Sequence, residues 1–291
     1  MSMPPPPPVP SCYRHPDREG GRNCTRCGTP ACPDCLVTAT VGSHCLDCAK
    51  AAKPDVRTRV KYANARVLTP ATNVLIGLNL LVFVSMVLAD PNTLSGDITT
   101  AHAELGLGRQ ILQYGFVYSN ESHGGPHQWY RLVTAGFIHF GVFHILMNML
   151  LLFQLGRLLE RDMGWQRFTM LYVASLLAGS FGVLLVEPGA LSGGASGAVF
   201  GLMAAAAVGL HRRGINVFST GIGTTLILNL VLTFTISGIS IGGHVGGALG
   251  GAVCGWVMLA PQWKPVPTWA GWATPVAVAA VALIGSVLVV G

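Results

Sequence analysis

Long apolar stretches without charged side chains constrain this chain more than any other feature. From Asn73 onward, apolar runs of roughly 17–25 residues, the length that a helix needs to cross a bilayer, alternate with short breaks. Charged residues make up only 10% of the 291 residues, against about 25% in an average soluble domain. A soluble globule so poor in charge could not cover its surface. We therefore expect a multi-spanning membrane protein and not a soluble enzyme.

The apolar runs predict seven membrane spans, none of which contains Asp, Glu, Lys or Arg. The fourth run has only about 16 residues, so its helix should begin below the membrane surface, after irregular backbone at membrane depth. Such backbone is tolerated only where protein or a water-filled cavity satisfies it. The predicted spans are residues 73–89, 137–156, 168–186, 195–210, 217–236, 239–260 and 269–290.

The distribution of Lys and Arg predicts the orientation in the membrane. With the N-terminus in the cytoplasm, only Arg109 and Arg131 of the 18 basic residues lie outside. We therefore expect a multi-pass protein of the cell membrane with a cytoplasmic N-terminus and an extracytoplasmic C-terminus. The long loop over residues 90–136 should face outward. This topology accounts for the net charge of +6, so no nucleic-acid partner is expected.

Composition divides the chain into four predicted segments. Residues 1–10 form a Pro-rich tail that is expected to be extended and disordered. Residues 11–49 hold seven of the eight cysteines, and residues 50–72 form a basic linker suited to contact with anionic lipids. Residues 73–291 form the transmembrane domain.

The cysteine-rich segment predicts metal binding. Its cysteines and one histidine form four pairs with two intervening residues, a spacing that lets one turn present both ligands to the same ion. The segment is too small to fold around an apolar core, so two structural zinc ions are expected to hold it. A disulfide framework is the alternative, but the odd cysteine count and a reducing cytoplasm argue against it. The predicted ligands are Cys12, His15, Cys24, Cys27, Cys32, Cys35, Cys45 and Cys48.

Three polar features inside the predicted spans point to chemistry, because polar groups in lipid are costly. Ser196 opens the fourth span after a glycine-rich stretch, where helix N-terminal amides favour a negative charge. His244 lies in the sixth span, and His144 and Asn148 share one face of the second. A serine nucleophile needs a base and oxyanion donors. We predict Ser196 as nucleophile and His244 as base. His144, Asn148 and the Ser196 N–H are the predicted oxyanion donors.

Small residues predict that the nucleophile and the base meet. Glycines recur at every fourth position in the fourth and sixth spans, a pattern that lets two helices approach closely. Because no Asp or Glu lies inside a predicted span, we expect a Ser–His dyad without a buried carboxylate. The two stripes are Gly193, Gly197 and Gly201, and Gly243, Gly247, Gly251 and Gly255.

Over roughly residues 73–260 the sequence resembles the rhomboid intramembrane serine proteases. The resemblance rests on Gly194-Ala195-Ser196-Gly197, on Gly243-His244 and the glycines after it, on the segment from His144 to Asn148, and on Trp129-Tyr130-Arg131. Tyr130 departs from the Trp-Arg signature of the family. The family implies six core helices, a dyad open to the extracytoplasmic side, no catalytic cofactor, and cleavage of transmembrane segments of other proteins. The seventh span is then a C-terminal addition, and His139 has a supporting role in the cavity.

The pair spacing of the cysteine-rich segment resembles a B-box-type zinc finger, in which alternate pairs share an ion. On that resemblance the first and third pairs bind one zinc ion, and the second and fourth pairs bind the other. A sequential pairing, and His44 as a substitute ligand, stay open at this point. We expect this domain to dock a cytoplasmic protein partner.

Two other functions are alternatives to proteolysis. A catalytically silent rhomboid-like membrane chaperone or trafficking factor would bind transmembrane helices, and the presence of both Ser196 and His244 argues against it. A transporter built on a broken helix would show internal repeats and intramembrane charge, and the sequence has neither. The expected fold is all-α, with a rhomboid-like six-helix core, one extra C-terminal helix and a small N-terminal zinc-binding domain. The expected function is intramembrane serine endopeptidase.

Overall fold

The computed structural model describes residues 8–39, 41–52, 69–123, 125–126 and 128–291. The chain divides into two compact units, Met1–Leu68 and Thr69–Gly291. Most of the predicted Pro-rich tail and most of the basic linker lie outside the described residues.

The described residues of the N-terminal unit form two small antiparallel hairpins and one short helix. In the first hairpin β1 (Arg22–Asn23) pairs with β2 (Pro30–Ala31), and in the second β3 (Leu36–Thr38) pairs with β4 (Ser43–Cys45). A 3₁₀ turn at Pro33–Cys35 precedes β3, and helix α1 (Leu46–Ala51) follows β4 directly. Where the structure describes this unit, the buried residues are mainly cysteines, and few of the apolar side chains that ordinarily stabilise a domain are among them.

The second unit is helical, and seven of its helices correspond to the seven predicted spans. Five of them are long and apolar enough to cross a membrane. The fourth and fifth are shorter, with 17 and 14 residues. This architecture confirms the predicted all-α membrane fold. The seven helices are α2 (Pro70–Ala89), α6 (Val142–Met163), α7 (Trp165–Val186), α8 (Ser196–Arg212), α9 (Ile222–Thr235), α10 (Ile241–Met258) and α11 (Ala270–Val290).

The second span differs from its prediction at both ends. Helix α6 begins five residues later than predicted, after Gly141, whose φ of 88° is incompatible with a helix. It then runs on to Met163 and carries Glu160 into the protein interior. The Glu160 carboxylate accepts hydrogen bonds from the backbone N–H groups of Ala71 and Thr72, so it caps the N-terminus of α2. The apolar pattern alone gives no sign of this long-range cap.

Helices α7, α8 and α10 form the tightly packed centre of the bundle, and glycines set their separation. A methyl carbon built on Gly247 of α10 would lie 2.0 Å from the Gly197 carbonyl oxygen of α8, and one built on Gly251 would lie 2.1 Å from that of Gly201. No side chain fits between backbones this close. The two glycine stripes therefore meet as their spacing predicts.

The long loop between α2 and α6 is folded and anchored. It contains helices α3 (Thr100–Leu105), α4 (Arg109–Tyr114) and α5 (Arg131–Thr134), and a hairpin of β5 (Phe116–Tyr118) with β6 (Glu121–His123). The buried Arg131 guanidinium donates to the carbonyl oxygens of Ala103 and Gly106 at 2.8 and 2.7 Å. The additional Tyr130 points outward and is 49% exposed, so it does not disturb this anchor.

Candidate active site and metal clusters

Ser196 is the first residue of helix α8 and borders a cavity of about 40 Å³. As the first helical residue it has a backbone N–H without a partner inside the helix. The preceding loop is held in place by two backbone hydrogen bonds between Leu107 and Ser192, and by a third from Gly194 N–H to the Ala135 carbonyl. The cavity is large enough for a water molecule. Ser196 thus lies at a helix N-terminus beside a small cavity, as the short fourth span predicts.

Gly194 allows His144 to approach the serine. Its φ of 129° is disfavoured for residues with a side chain. A methyl carbon at this position would lie 2.8 Å from His144 Nε2 and 3.7 Å from Ser196 Oγ, so His144 and Ser196 border the same space on either side of the glycine. The Phe140 N–H donates to His144 Nδ1 at 3.3 Å, which leaves the proton of the neutral imidazole on Nε2. This ring can therefore act as a hydrogen-bond donor toward the cavity.

Asn148 lies one turn beyond His144 on α6 and is buried. Its amide Nδ2 donates to the His144 carbonyl oxygen at 3.0 Å within the same helix. An amide group carries two N–H donors, so one remains for another acceptor.

His139 supports the loop in front of Ser196. The Ala195 N–H donates to His139 Nε2 at 3.5 Å, and His139 Nδ1 lies 3.2 Å from the Phe137 carbonyl oxygen. Its ring is fully buried and packs edge-on against His144, with centroids 5.0 Å apart. His139 therefore positions the residue before the serine.

His244 lies on α10, on the helix that crosses α8 beside Ser196. A methyl carbon at Gly197 would lie 3.2 Å from the Gly243 carbonyl oxygen, so the residues adjacent to Ser196 and His244 are in backbone contact. Among the described hydrogen bonds, none joins the Ser196 hydroxyl to the His244 ring. The structure therefore brings the two residues to one helix crossing without the direct bond of an assembled dyad.

Two neighbours that the sequence reasoning missed hold the His244 ring. The Phe200 ring stacks on it with centroids 4.0 Å apart and an angle of 17° between the planes. Thr233 Oγ1, on α9, lies 2.7 Å from His244 Nδ1 and donates its own hydrogen to the Asn229 carbonyl oxygen. The threonine oxygen must then accept from Nδ1–H, which leaves the Nε2 lone pair available as a base.

Some signals for these neighbours are present in the sequence. Phe200 lies four residues after Ser196 and hence on the same helix face. Thr233 is one of several polar residues in the fifth predicted span, and nothing in the sequence indicates which helix it faces.

The start of α10 is fixed by a carboxylate outside the spans. Glu187 accepts hydrogen bonds from the Ser240 hydroxyl at 2.7 Å and from the Gly242 N–H at 2.9 Å. The Ser240 oxygen in turn accepts from the Gly243 N–H at 2.9 Å. Glu187 therefore orients the helix end that carries His244, although it does not contact the imidazole in the described hydrogen bonds.

The N-terminal unit brings its cysteine pairs together in two groups. Each group has four ligand atoms within 4.8 Å of one another, and each combines alternate pairs along the chain. His44 belongs to neither group. Both groups could hold metal ions. The groups are Cys12, His15, Cys32 and Cys35, and Cys24, Cys27, Cys45 and Cys48.

The distances within the groups fit a tetrahedral ion. His15 Nδ1 lies 3.4 Å from both Cys32 Sγ and Cys35 Sγ, and Cys27 Sγ lies 3.7 Å from Cys45 Sγ. Zn–S and Zn–N bonds of about 2.3 and 2.0 Å in a tetrahedron separate the ligand atoms by roughly 3.5–3.8 Å. A disulfide would require sulfur atoms about 2.05 Å apart, and the described cysteines are free thiols.

Local backbone groups prepare one thiol in each group for metal binding. Burial opposes ionisation of Cys12, but hydrogen bonds from backbone groups of Cys32 and Arg14 outweigh it and lower the Cys12 pKa to about 6. Backbone hydrogen bonds likewise outweigh burial at Cys24 and lower its pKa to about 6. Thiolates are the form that binds metal. Burial and hydrogen bonds with neighbouring cysteines raise the Cys35 pKa to about 11.

Comparison with known proteins finds a match to a rhomboid family model within the membrane unit. Residues 126–261, from the end of the long loop to just beyond the end of α10, match the Rhomboid domain family. This segment contains Ser196, His244, His144 and Asn148.

Individual relatives agree with the family match. The chain is 35% identical over 115 residues to rhomboid protease GluP of Bacillus subtilis, which is 38% of this chain and 22% of that protein. It is 44% identical over 79 residues to RHOMBOID-like protein 1 of Arabidopsis thaliana, 27% of this chain and 20% of that protein. It is 37% identical over 83 residues to rhomboid-type serine protease 2 of Emericella nidulans, which is 27% of this chain and 16% of that protein. The similarity thus spans less than a quarter of these relatives, and it supports the rhomboid family.

Proposed function

We propose that this protein is an intramembrane serine endopeptidase that cleaves transmembrane segments of other membrane proteins. The observation that carries the proposal is the close crossing of α8 and α10 at their glycines. Ser196 lies there at the edge of a cavity, and His244 lies on the crossing helix. Relatives named as rhomboid proteases support the same reaction class. The rhomboid family also includes inactive members, so a silent helix-binding protein is the competing function.

In the proposed reaction, His244 Nε2 accepts the proton of the Ser196 hydroxyl while Oγ attacks a substrate carbonyl carbon. The resulting oxyanion is stabilised by the Ser196 N–H, His144 Nε2–H and the second N–H of Asn148. The imidazolium then gives its proton to the leaving amine, the C–N bond breaks, and water hydrolyses the acyl-enzyme through the reverse proton transfers. The substrate helix must unwind locally first, so segments with Gly or Pro should be preferred.

We propose an orientation of the protein in the membrane from the positions of its arginines. Arg157, Arg161, Arg212 and Arg213 lie at the α6 and α8 ends remote from Ser196, which a cytoplasmic side favours. The cavity beside Ser196 then opens toward the extracytoplasmic side. The N-terminal unit lies in the cytoplasm, and α2 enters the membrane from there.

We further propose that the N-terminal unit binds two structural zinc ions in a B-box-like arrangement. The alternate grouping of its pairs and their tetrahedral spacing support this assignment. All four positions of each group are protein ligands, so neither ion has an open site for catalysis. A surface for a cytoplasmic protein partner is the role that such a module suggests.

Covalent labelling distinguishes a protease from a silent relative. We expect a fluorophosphonate to label the detergent-purified protein at Ser196, because only an activated serine reacts with it. Ser196→Ala should remove the label, whereas Ser192→Ala, which alters another serine bordering the same cavity, should retain it. Equal labelling of wild type and Ser196→Ala, or none in wild type, would contradict the proposed activity.

The Thr233 contact predicts a partial loss of activity. Thr233→Val removes the acceptor for His244 Nδ1–H with little change in volume, so the imidazole can adopt the wrong tautomer. We expect kcat to fall about ten-fold with KM little changed, as for loss of a group that orients a catalytic base. Thr235→Val is the matched control, since the described hydrogen bonds of that hydroxyl stay within its own helix and the residue is exposed. Equal kcat values for the two variants would refute the positioning role.

A further inference from the structure

A second and much larger cavity lies at the end of the bundle remote from Ser196. It has a volume of about 500 Å³ and is formed between the C-terminal parts of α6 and α8, with Leu259 after α10 closing it. The proposed proteolytic chemistry makes no use of this cavity.

The charged side chains of the cavity are mostly positive. Arg157, Arg161 and Asp162 come from α6, and Arg213 follows the end of α8. Arg213 forms an ion pair with Asp162 at 2.6 Å. Among the described lining residues there are three arginines and one aspartate, and this excess of basic side chains favours an anionic ligand.

Other arginines at the same end have different partners. Arg167 donates to the Met258 carbonyl oxygen at 2.7 Å, and Arg212 donates to the Trp256 carbonyl oxygen and stacks on the Trp256 ring. These two residues tie down the end of α10 and do not line the cavity. The basic residues at this end of the bundle therefore fall into two groups: some line the cavity, and others bond to the end of α10.

The rest of the lining is apolar. It consists of Leu158, Leu159, Ala206, Gly209, Leu210 and Leu259. A lining that combines arginines with apolar side chains, at the ends of membrane-spanning helices, matches an amphiphile that has both a phosphate and hydrocarbon. A free phosphate ion would contact the arginines alone and gain nothing from the apolar side chains.

We propose that this cavity binds the phosphate head group of an anionic glycerophospholipid. Guanidinium groups form paired, charge-assisted hydrogen bonds with phosphate oxygens, and the leucines contact the upper part of the acyl chains. The assignment is independent of the proteolytic function, because it uses no residue of the Ser196 site.

Lipid titration of the full-length protein in neutral detergent tests this site. Native mass spectrometry should detect tighter binding of phosphatidylglycerol than of phosphatidylcholine. Arg157→Gln should weaken phosphatidylglycerol binding about five-fold, the effect of one basic residue at an anionic lipid surface. Asp162→Asn should strengthen it by a similar factor, because the variant removes the acidic side chain that competes for Arg213.

The control is Lys264→Gln, which removes a positive charge at the same end of the bundle but outside the cavity lining. It should leave phosphatidylglycerol binding unchanged. Equal weakening by Lys264→Gln and Arg157→Gln would show a diffuse charge effect and overturn the site. Binding of inorganic phosphate without preference between the two lipids would overturn the lipid assignment. The opposite effects of Arg157→Gln and Asp162→Asn separate a loss of affinity from a loss of folding.

Discussion

Replacement of His244 by alanine is expected to reduce cleavage of a single-span substrate by at least about 10³-fold, because a serine hydroxyl is a poor nucleophile without a base. His244 is the imidazole on the helix that crosses α8 beside Ser196, and its Nε2 lone pair is left available by Thr233. The measurement is the initial rate of cleavage in detergent micelles and in liposomes, with wild type and variant at equal concentrations.

The double variant makes this test specific. Residues that act as one catalytic unit are strongly non-additive, so Ser196→Ala combined with His244→Ala should be no slower than either single variant. His211→Ala is the control, since His211 lies exposed near the other end of α8. Cleavage by His244→Ala within ten-fold of wild type would contradict the dyad, as would independent, multiplying losses for the two single variants.

Removal of zinc is expected to unfold the N-terminal unit. Its interior consists largely of cysteines, so metal binding must supply most of its folding free energy, about 10–16 kcal/mol for a structural zinc site. Elemental analysis of the purified full-length protein should give two zinc ions per chain. A strong chelator should then make residues of this unit susceptible to limited proteolysis while the membrane unit stays intact.

Single cysteine variants test the two groups separately. Cys35→Ala should reduce the zinc content to about one ion per chain, because three ligands hold zinc far less tightly than four. Cys254→Ala should retain both ions, since Cys254 is buried in α10 and belongs to neither group. A metal-free protein whose N-terminal unit still resists proteolysis would contradict the zinc assignment.

The membrane helices were predictable because each apolar run must satisfy its own backbone in lipid. The runs therefore identify all seven helices, with errors mainly at their ends. Glu160 illustrates the limit, because it lies on α6 beyond the predicted apolar run and its carboxylate caps α2, a helix far away in the sequence. A cap of this kind depends on the relative position of two helices, which local composition does not encode.

In the candidate site, too, some residues are recognisable from the sequence and others only from the packing of the helices. Ser196 and His244 are recognisable because an isolated polar group inside an apolar run needs a reason. Thr233 was missed, although it is equally polar, because its significance depends on the packing of α9 against α10. The glycine stripes predict that α8 and α10 touch, but they do not determine which side chain reaches Nδ1 of His244.

The sequence by itself determined the helical membrane architecture, the pairs of cysteine and histidine, and the residues proposed for catalysis, because each of these follows from local spacing and from the cost of polar groups in lipid. Only the tertiary structure decided which cysteine pairs share a group, which threonine orients the histidine and which arginines line the second cavity. These features depend on contacts between segments far apart in the chain, and such contacts are set by packing and not by periodicity.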